Sequence, residues 1–98
     1  MSIIEELCLW FNEKESSLIS VNLNPALVKS PADGNTRAVW LDLDSAHRVG
    51  RLILWETGAA ELSVGEVRTG EIVVEEHREI TSIVGLTDAV ESLIAWVR

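Results

Sequence analysis

The sequence predicts an α+β fold: an N-terminal helix, an antiparallel β-meander of four to five strands and a C-terminal helix, with the helices packed on one sheet face. Apolar residues recur at helical spacing near both ends of the chain. Between those segments, short stretches alternate apolar and polar side chains, as half-buried strands do. Glycine-containing turns separate several of the stretches, so consecutive strands are expected to pair antiparallel.

The first helix is predicted over about residues 2–15. Ser2 and Glu5 form a capping box, in which two side chains satisfy backbone N–H groups that the first turn leaves free. Apolar side chains then recur every three to four residues, and charged ones face elsewhere. The apolar stripe consists of Ile3, Ile4, Leu7, Cys8, Trp10 and Phe11.

The segment Leu18–Asn24 is predicted to be the first strand, because apolar and polar residues alternate through it. Residues 25–36 are predicted to be a loop, since Asn-Pro, Ser-Pro and Asp-Gly pairs punctuate them. Two alternatives stay open within this loop. One is a short turn of helix from Pro25 to Val28, and the other is a second short helix that partners the first.

Further strands follow, joined by short turns. Their predicted ranges are Arg37–Asp44, Arg48–Glu56, Ala59–Val67 and Glu71–Ile80. Gly58 and Gly70 stand where a tight hairpin needs a positive φ. The last strand carries enough charge to protect a sheet edge from unwanted pairing.

The C-terminal helix is predicted to begin at Thr87, an N-cap residue followed by Asp88, whose charge suits the helix dipole. One apolar stripe, with Trp96 adjoining it, then runs along the helix to its end. The stripe consists of Leu86, Val90, Leu93, Ile94 and Val97.

Composition restricts the classes of function. The 98 residues are expected to form one domain, residues 1–98. The net charge of −8 disfavours binding to nucleic acid or to anionic membranes and favours a basic protein partner. The competing interpretation is that acidity only keeps the protein soluble.

Three features of the sequence predict a cytoplasmic location. The chain has a lone cysteine, Cys8, it shows no signal-peptide pattern, and it has no apolar run long enough to span a membrane.

Tryptophan supplies nearly all the aromatic area of this chain, which has four Trp, one Phe and no Tyr. Trp10 and Trp96 lie on helical stripes and are expected in the core. Trp40 is different, because strand parity places it beside Asp42 and Asp44 and opposite the aliphatic residues of the same strand. An aromatic side chain between carboxylates has the composition of an interface anchor. The alternative is simple cover over the far side of the sheet.

The Asp42-x-Asp44 pair also permits a metal interpretation, since both carboxylates can reach one cation. Only Ser45 and Glu56 offer further oxygen ligands nearby, and no metal is assigned. The competing interpretation is a solvated strand end where Asp and Ser satisfy backbone N–H groups. Contact with a basic partner is favoured over metal binding and over catalysis.

His47 and His77 are the only histidines, in a predicted loop and a charged strand. A couple with Cys8 would be the route to nucleophilic catalysis, but that thiol lies on the apolar stripe of a helix. The sequence contains no nucleotide-binding, P-loop, HExxH or CxxC motif, so no cofactor is assigned. We therefore do not expect an enzyme.

Glutamates are concentrated in the last predicted strand. By strand parity Glu71, Glu75 and Glu79 share one face with His77, and Glu76 lies on the other. This arrangement predicts either an anionic patch for a cationic partner or an ordinary solvated sheet face.

The central hairpin carries a family resemblance. The residues are Asp42-Leu43-Asp44-Ser45, then Arg48-Val49-Gly50-Arg51-Leu52, then Leu54-Trp55-Glu56-x-Gly58 and Glu61-Leu62. Together with an acidic first helix containing Trp-Phe and a last helix ending Leu93-Ile94-Ala95-Trp96, they resemble the TriTu family of immunity proteins. The likeness covers nearly the whole chain. After the glycine turn the family usually shows a polar residue, where this chain has Ala59-Ala60.

The resemblance implies a cytoplasmic antitoxin that protects a bacterium from a polymorphic Rhs-type toxin. Such a toxin is an ADP-ribosyltransferase that modifies ribosomal RNA. A toxin acting on RNA should present a basic surface, which a strongly acidic binder could mask. No catalytic residues are carried over from the family. A monomer is favoured.

The hypothesis for binding is that the open sheet face or the loop over residues 42–48 covers the toxin's cleft. The candidate partner-binding residues are Trp40, Asp42, Asp44, His47, Glu71, Glu75 and Glu79. The runner-up function is a small acidic secretion chaperone, which would bind an effector without inhibiting it.

Overall fold

A computed structural model describes residues 2–29 and 37–98. Its elements are α1 (Ile3–Ser20), β1 (Asn24–Lys29), β2 (Ala38–Asp44), β3 (Arg48–Trp55), β4 (Ala59–Glu66), β5 (Ile72–Glu79) and α2 (Ile83–Val97). The five strands form one antiparallel sheet in the order β1-β2-β3-β4-β5. The predicted meander between two helices is confirmed.

Helix α1 is longer than predicted. Ser2 caps it as expected, because its hydroxyl accepts a hydrogen bond from the Glu5 N–H at 3.1 Å. The helix then continues to Ser20, so the predicted strand Leu18–Asn24 is wrong. Leu18 is buried seven residues after Phe11, which extends the helical stripe by two turns. The apparent alternation misled because Ile19 and Val21 are 56% and 47% exposed and do not belong to the core.

Strand β1 occupies part of the segment that was predicted to be a loop. Asn24–Lys29 pairs with β2, so the predicted loop is wrong over these residues, and so is the short helix from Pro25 to Val28. Residues 30–36 lie outside the described part of the chain. Pro25 is compatible with a strand here because β1 is an edge strand, where alternate backbone N–H positions point away from the sheet and need no ladder bond.

The other strands and turns agree with the predicted pattern. Gly58 and Gly70 have φ values of +96° and +74°, which confirms the positive φ predicted for both turns. The sequence did not predict one irregularity, a shift in the register between β4 and β5 at Val64 and Gly65. Val64 pairs with Val74 but Gly65 pairs with Ile72, so strand parity changes at this bulge.

Both helices pack on one face of the sheet, as predicted. A single core joins their stripes to fully buried leucines of the three central strands, among them Leu41, Leu52 and Leu62. Gly50 lets α2 approach β3 closely. A Cβ placed there would lie 2.6 Å from Val97 Cγ1 and 2.8 Å from Leu93 Cδ1.

Helix α2 begins earlier than predicted. Ser82, not Thr87, is the N-cap, and its hydroxyl accepts a hydrogen bond from the Gly85 N–H at 3.1 Å. The predicted stripe is confirmed for Leu86 through Val97, with Ile94 partly buried. Trp96 is 43% exposed, so the prediction that it belongs to the core is wrong. Consecutive helical positions point about 100° apart, and the neighbouring Val97 takes the core position.

Candidate functional site

The candidate site is the face of the sheet opposite the helices, which we call the open face. Alternation along β2 places Val39, Leu41 and Leu43 in the core. The half-buried Trp40 and Asp42 therefore lie on the open face, as the sequence predicted. No element among residues 2–29 and 37–98 packs against this face. Side chains form rows across the strands, and Trp40, Asp42 and Asp44 each belong to a different row.

The first row joins apolar residues to charged ones. Register places Val28, Trp40 and Ile53 side by side across β1, β2 and β3. The row continues to Glu61 on β4 and His77 on β5. Val28 is 48% exposed, whereas Trp40 and Ile53 are half-buried by their neighbours. Cross-strand neighbours on one face touch, so Trp40 is supported from both sides by aliphatic side chains.

The second row contains an ion pair. Asp42 on β2 lies opposite Arg51 on β3. The Arg51 Nε donates to Asp42 Oδ1 at 2.6 Å, and Nη2 donates to Oδ2 at 3.1 Å. The hydrogen bond to Asp42 raises the pKa of Arg51. Both carboxylate oxygens are thus engaged by a cation. Within the described residues, no group of three or more His, Cys, Asp or Glu side chains is arranged to hold a metal ion.

The third row borders a depression. It runs from Asp44 through Val49 and Gly65 to Ile72. Together with side chains of the second row these residues line a depression of about 390 Å³ that is open to solvent. Burial is the main cause that raises the pKa of Asp44, and the charge of Asp42 adds to it. A hydrogen bond with the backbone of Gly50 acts in the opposite direction.

His77 bridges two glutamates at the β5 end of the open face. Its Nδ1 lies 3.0 Å from Glu61 Oε1, and its Nε2 lies 2.8 Å from Glu79 Oε1. The hydrogen bond to Glu79, then the one to Glu61, raises the pKa of His77 above its ordinary value of 6.5. His77 is therefore protonated more readily than a free histidine, and Glu75 is a further carboxylate on the same face of β5.

The remaining two candidates lie at turns beside the open face. His47 is exposed in the β2–β3 turn, where its N–H donates to Ser45 Oγ at 3.2 Å. Its carbonyl accepts from the Val67 N–H at 2.9 Å, which holds this turn against the end of β4. Glu71 precedes β5 and is exposed. The bulge makes Ile72, and not Glu71, the neighbour of Gly65 on the open face, so the predicted parity for Glu71 is wrong.

Sequence reasoning did not include Arg51, Glu61 or His77 among the site residues. Arg51 and Glu61 join the site only through register, because their partners lie on other strands. His77 had a weak signal, since parity already placed it with Glu75 and Glu79. What the sequence lacked was the pairing that brings Glu61 opposite it.

A second set of polar contacts ties α2 to the sheet, away from the open face. The Arg48 Nε donates to Glu66 Oε1 at 2.7 Å, and its Nη1 donates to the Trp96 carbonyl at 2.8 Å. The guanidinium carbon lies 5.8 Å from the centre of the Trp96 ring. These contacts hold the end of α2 on strands β3 and β4. The contact with the Arg48 guanidinium explains why the exposed Trp96 ring lies where it does.

The comparisons agree with the earlier resemblance. No helix in residues 2–29 and 37–98 is both long and apolar enough to cross a membrane. A comparison with curated proteins gives no match. The family model described as "Immunity protein TriTu" matches residues 5–96, which include all five strands and nearly all of both helices. The chain therefore belongs to the TriTu family of immunity proteins.

Proposed function

We propose that this protein neutralises a cognate Rhs-type toxin, an ADP-ribosyltransferase acting on ribosomal RNA. The open face would cover the basic surface with which the toxin binds its substrate. In this proposal the chain acts in the cytoplasm as a single-domain monomer, without catalytic turnover of its own. Membership of an immunity-protein family supports a toxin as the partner.

The observation that carries the proposal is the first row of the open face. Trp40 is half-buried between Val28 and Ile53, and carboxylates border this apolar stretch. Interfaces concentrate binding energy in an aromatic anchor at the centre, with a polar rim that excludes water. A rigid sheet holds the tryptophan in place, so little side-chain entropy remains to be lost on binding.

Charge supports the choice of partner. The chain carries a net charge of −8, and Asp44, Glu75 and Glu79 place carboxylates on the same sheet face as Trp40. A protein that binds RNA presents Lys and Arg side chains to the phosphates. Opposite charges on the two surfaces speed association and orient the encounter.

The dimensions of the open face predict that the interface extends beyond it. Five strands spaced about 4.8 Å apart, each about seven residues long, give a face roughly 20 Å by 23 Å. A stable complex usually buries about 800 Å² of accessible surface on each partner, and the flat area of this face is roughly 460 Å². We therefore include the two adjoining turns, which contain His47 and Glu71, in the proposed interface.

The test uses the cognate toxin domain, identified first as the toxin against which this chain protects a bacterium. A triple variant, Trp40→Ala, Asp42→Asn and Asp44→Asn, should raise the Kd for that domain at least about thirtyfold, the loss expected for one anchor residue. The matched control is Leu9→Ala, Glu13→Gln and Glu15→Gln on α1, which removes the same charge and one exposed apolar side chain. An unchanged Kd for the open-face variant would remove this surface from consideration.

Activity distinguishes an immunity protein of this kind from a secretion chaperone. The purified complex should show no ADP-ribosylation of ribosomal RNA, and the released toxin should regain it. A complex that stays active would contradict the masking mechanism and favour the chaperone function.

A further inference from the structure

The depression on the open face has two chemically distinct sides. Between these sides lies Gly65, which has no side chain to fill the depression. A Cβ added at Gly65 would have its nearest neighbour at 3.5 Å, so the space above this residue is open. Val49 and Ile72 form an apolar side and are 48% and 60% exposed. Asp44 and the Asp42–Arg51 pair form the polar side. An apolar wall facing a carboxylate suits a side chain that has an aliphatic stem and a cationic head.

The two aspartates differ in their electrostatic state. Asp42 is neutralised by Arg51, whose guanidinium binds both of its carboxylate oxygens. In the described part of the chain, no Arg, Lys or His side chain forms a salt bridge with Asp44. Asp44 therefore brings a partly buried negative charge to the depression, stabilised by a backbone hydrogen bond with Gly50 and, more weakly, by the charge of Arg51, which is bound to Asp42. A cation from outside would compensate that charge.

We propose that the depression receives an arginine side chain of the partner. The guanidinium binds the Asp44 carboxylate, and the aliphatic stem lies between Val49 and Ile72. This inference rests on the proposed function, because it names the group of the toxin that the open face recognises.

Arginine fits better than lysine for two physical reasons. A planar guanidinium can donate two parallel hydrogen bonds to one carboxylate, and it is more weakly hydrated than an ammonium group. Arg51 already uses this geometry on Asp42, and the second guanidinium would repeat it one row away on Asp44. The volume of about 390 Å³ is near the lower limit of small-molecule pockets, which suits one long side chain.

The first test uses a probe in place of the toxin. N-acetyl-arginine amide is titrated into the isotope-labelled protein, with the uncharged N-acetyl-citrulline amide as the matched comparison. We expect saturable amide shifts at Val49, Gly65 and Ile72 with the arginine probe, at least about fivefold weaker binding of the citrulline probe, and intermediate binding of the lysine analogue. Equal binding of the arginine and citrulline probes would overturn the proposal.

Two variants localise the effect. Asp44→Asn should abolish the saturable shifts, whereas Asp88→Asn on α2, an exposed aspartate with the same charge change, should leave them intact. Ile72→Ala should weaken the probe severalfold without changing the charge. Shifts that persist in Asp44→Asn, or that are lost in the Asp88 control, would overturn the assignment.

The second test separates this inference from the proposed function. Asp44→Asn should raise the Kd for the toxin at least about tenfold, and Trp40→Ala should raise it independently. If Trp40→Ala weakens binding and Asp44→Asn does not, the arginine site is wrong and the open-face interface stands. If neither variant weakens binding while the arginine probe still binds at Asp44, the interface is wrong and the site recognises another arginine-bearing partner.

Discussion

Arg51 and Asp42 face each other across β3 and β2 and share two hydrogen bonds, of 2.6 Å and 3.1 Å. The pair lies at the centre of the open face, yet its side chains are 51% and 26% exposed. Solvent screening limits what such a pair adds to stability. In the proposed interface, its consequence is that it neutralises one of two neighbouring aspartates and leaves Asp44 without a salt bridge.

A double-mutant cycle on this pair should give a small coupling energy. Arg51→Gln and Asp42→Asn, measured singly and together by urea unfolding, should couple by about 0.5 kcal/mol, and this value should fall in about 1 M salt. A coupling above about 2 kcal/mol, insensitive to salt, would contradict this account, because it is the behaviour of a desolvated pair.

His77 should make stability depend on pH. Its pKa is raised in the folded state, chiefly by Glu79 and then by Glu61, so the folded protein binds the proton more tightly than the unfolded chain. The resulting stabilisation is fully present below pH 6.5, the ordinary value, and is lost as the pH rises through the higher folded value. Compared with His77→Asn, the wild type should be relatively more stable at about pH 5.5 than at about pH 9.

NMR titration of the His77 ring supplies the control for this prediction. Glu79→Gln should lower the pKa of His77 more than Glu61→Gln does, because the hydrogen bond to Glu79 is the larger cause. If both variants leave the titration midpoint unchanged, the bridge between the two glutamates is absent in solution.

Gly50 should not tolerate a methyl group. A Cβ at this position would lie 2.6 Å from Val97 and 2.8 Å from Leu93, so α2 would have to move off β3. We expect Gly50→Ala to lower the free energy of unfolding by about 1–3 kcal/mol, measured by urea denaturation. Gly65→Ala is the matched control, since its nearest contact would be an ordinary 3.5 Å and its stability should change little.

The position of the α2 N-cap can be tested by comparing two hydroxyl residues. Ser82→Ala removes the acceptor of the Gly85 N–H and should cost about 1 kcal/mol in the free energy of unfolding. Thr87→Ala lies inside the helix, where alanine has the higher helix propensity, and should cost less. The reverse order would indicate that the helix begins at Thr87.

Carboxylates around the open face should affect the rate of toxin binding more than the lifetime of the complex. Glu71→Gln with Glu75→Gln should lower the association rate on the order of threefold at low salt, with a small change in dissociation. Glu13→Gln with Glu15→Gln on α1 changes the net charge equally and should have a weaker effect. Stopped-flow measurements at two salt concentrations check both. Equal effects of the two pairs would mean that only net charge guides association.

The sequence by itself determined the order of the elements and the two-layer architecture. It also determined which side chains of the central strands face the core and which face the other side of the sheet. These follow from local periodicity: 3.6 residues per turn in the helices and two per repeat in the strands. That is why Trp40, Asp42 and Asp44 were correctly separated from Val39, Leu41 and Leu43. Local periodicity gave a wrong prediction for residues 18–23, because apolar and polar residues alternate there as in a strand. In the structure, helix α1 continues through this segment as far as Ser20.

Only the tertiary structure decided which residues meet across strands. Register brings Arg51 onto Asp42 and Glu61 onto His77, and the bulge at Gly65 brings Ile72 beside Asp44 and Val49. These partners are separated by 9 to 28 residues in the chain, and no local propensity encodes such distances. Pairing is a collective outcome of burying one face of every strand at once, so the charge state and shape of the open face emerge only when the sheet is assembled.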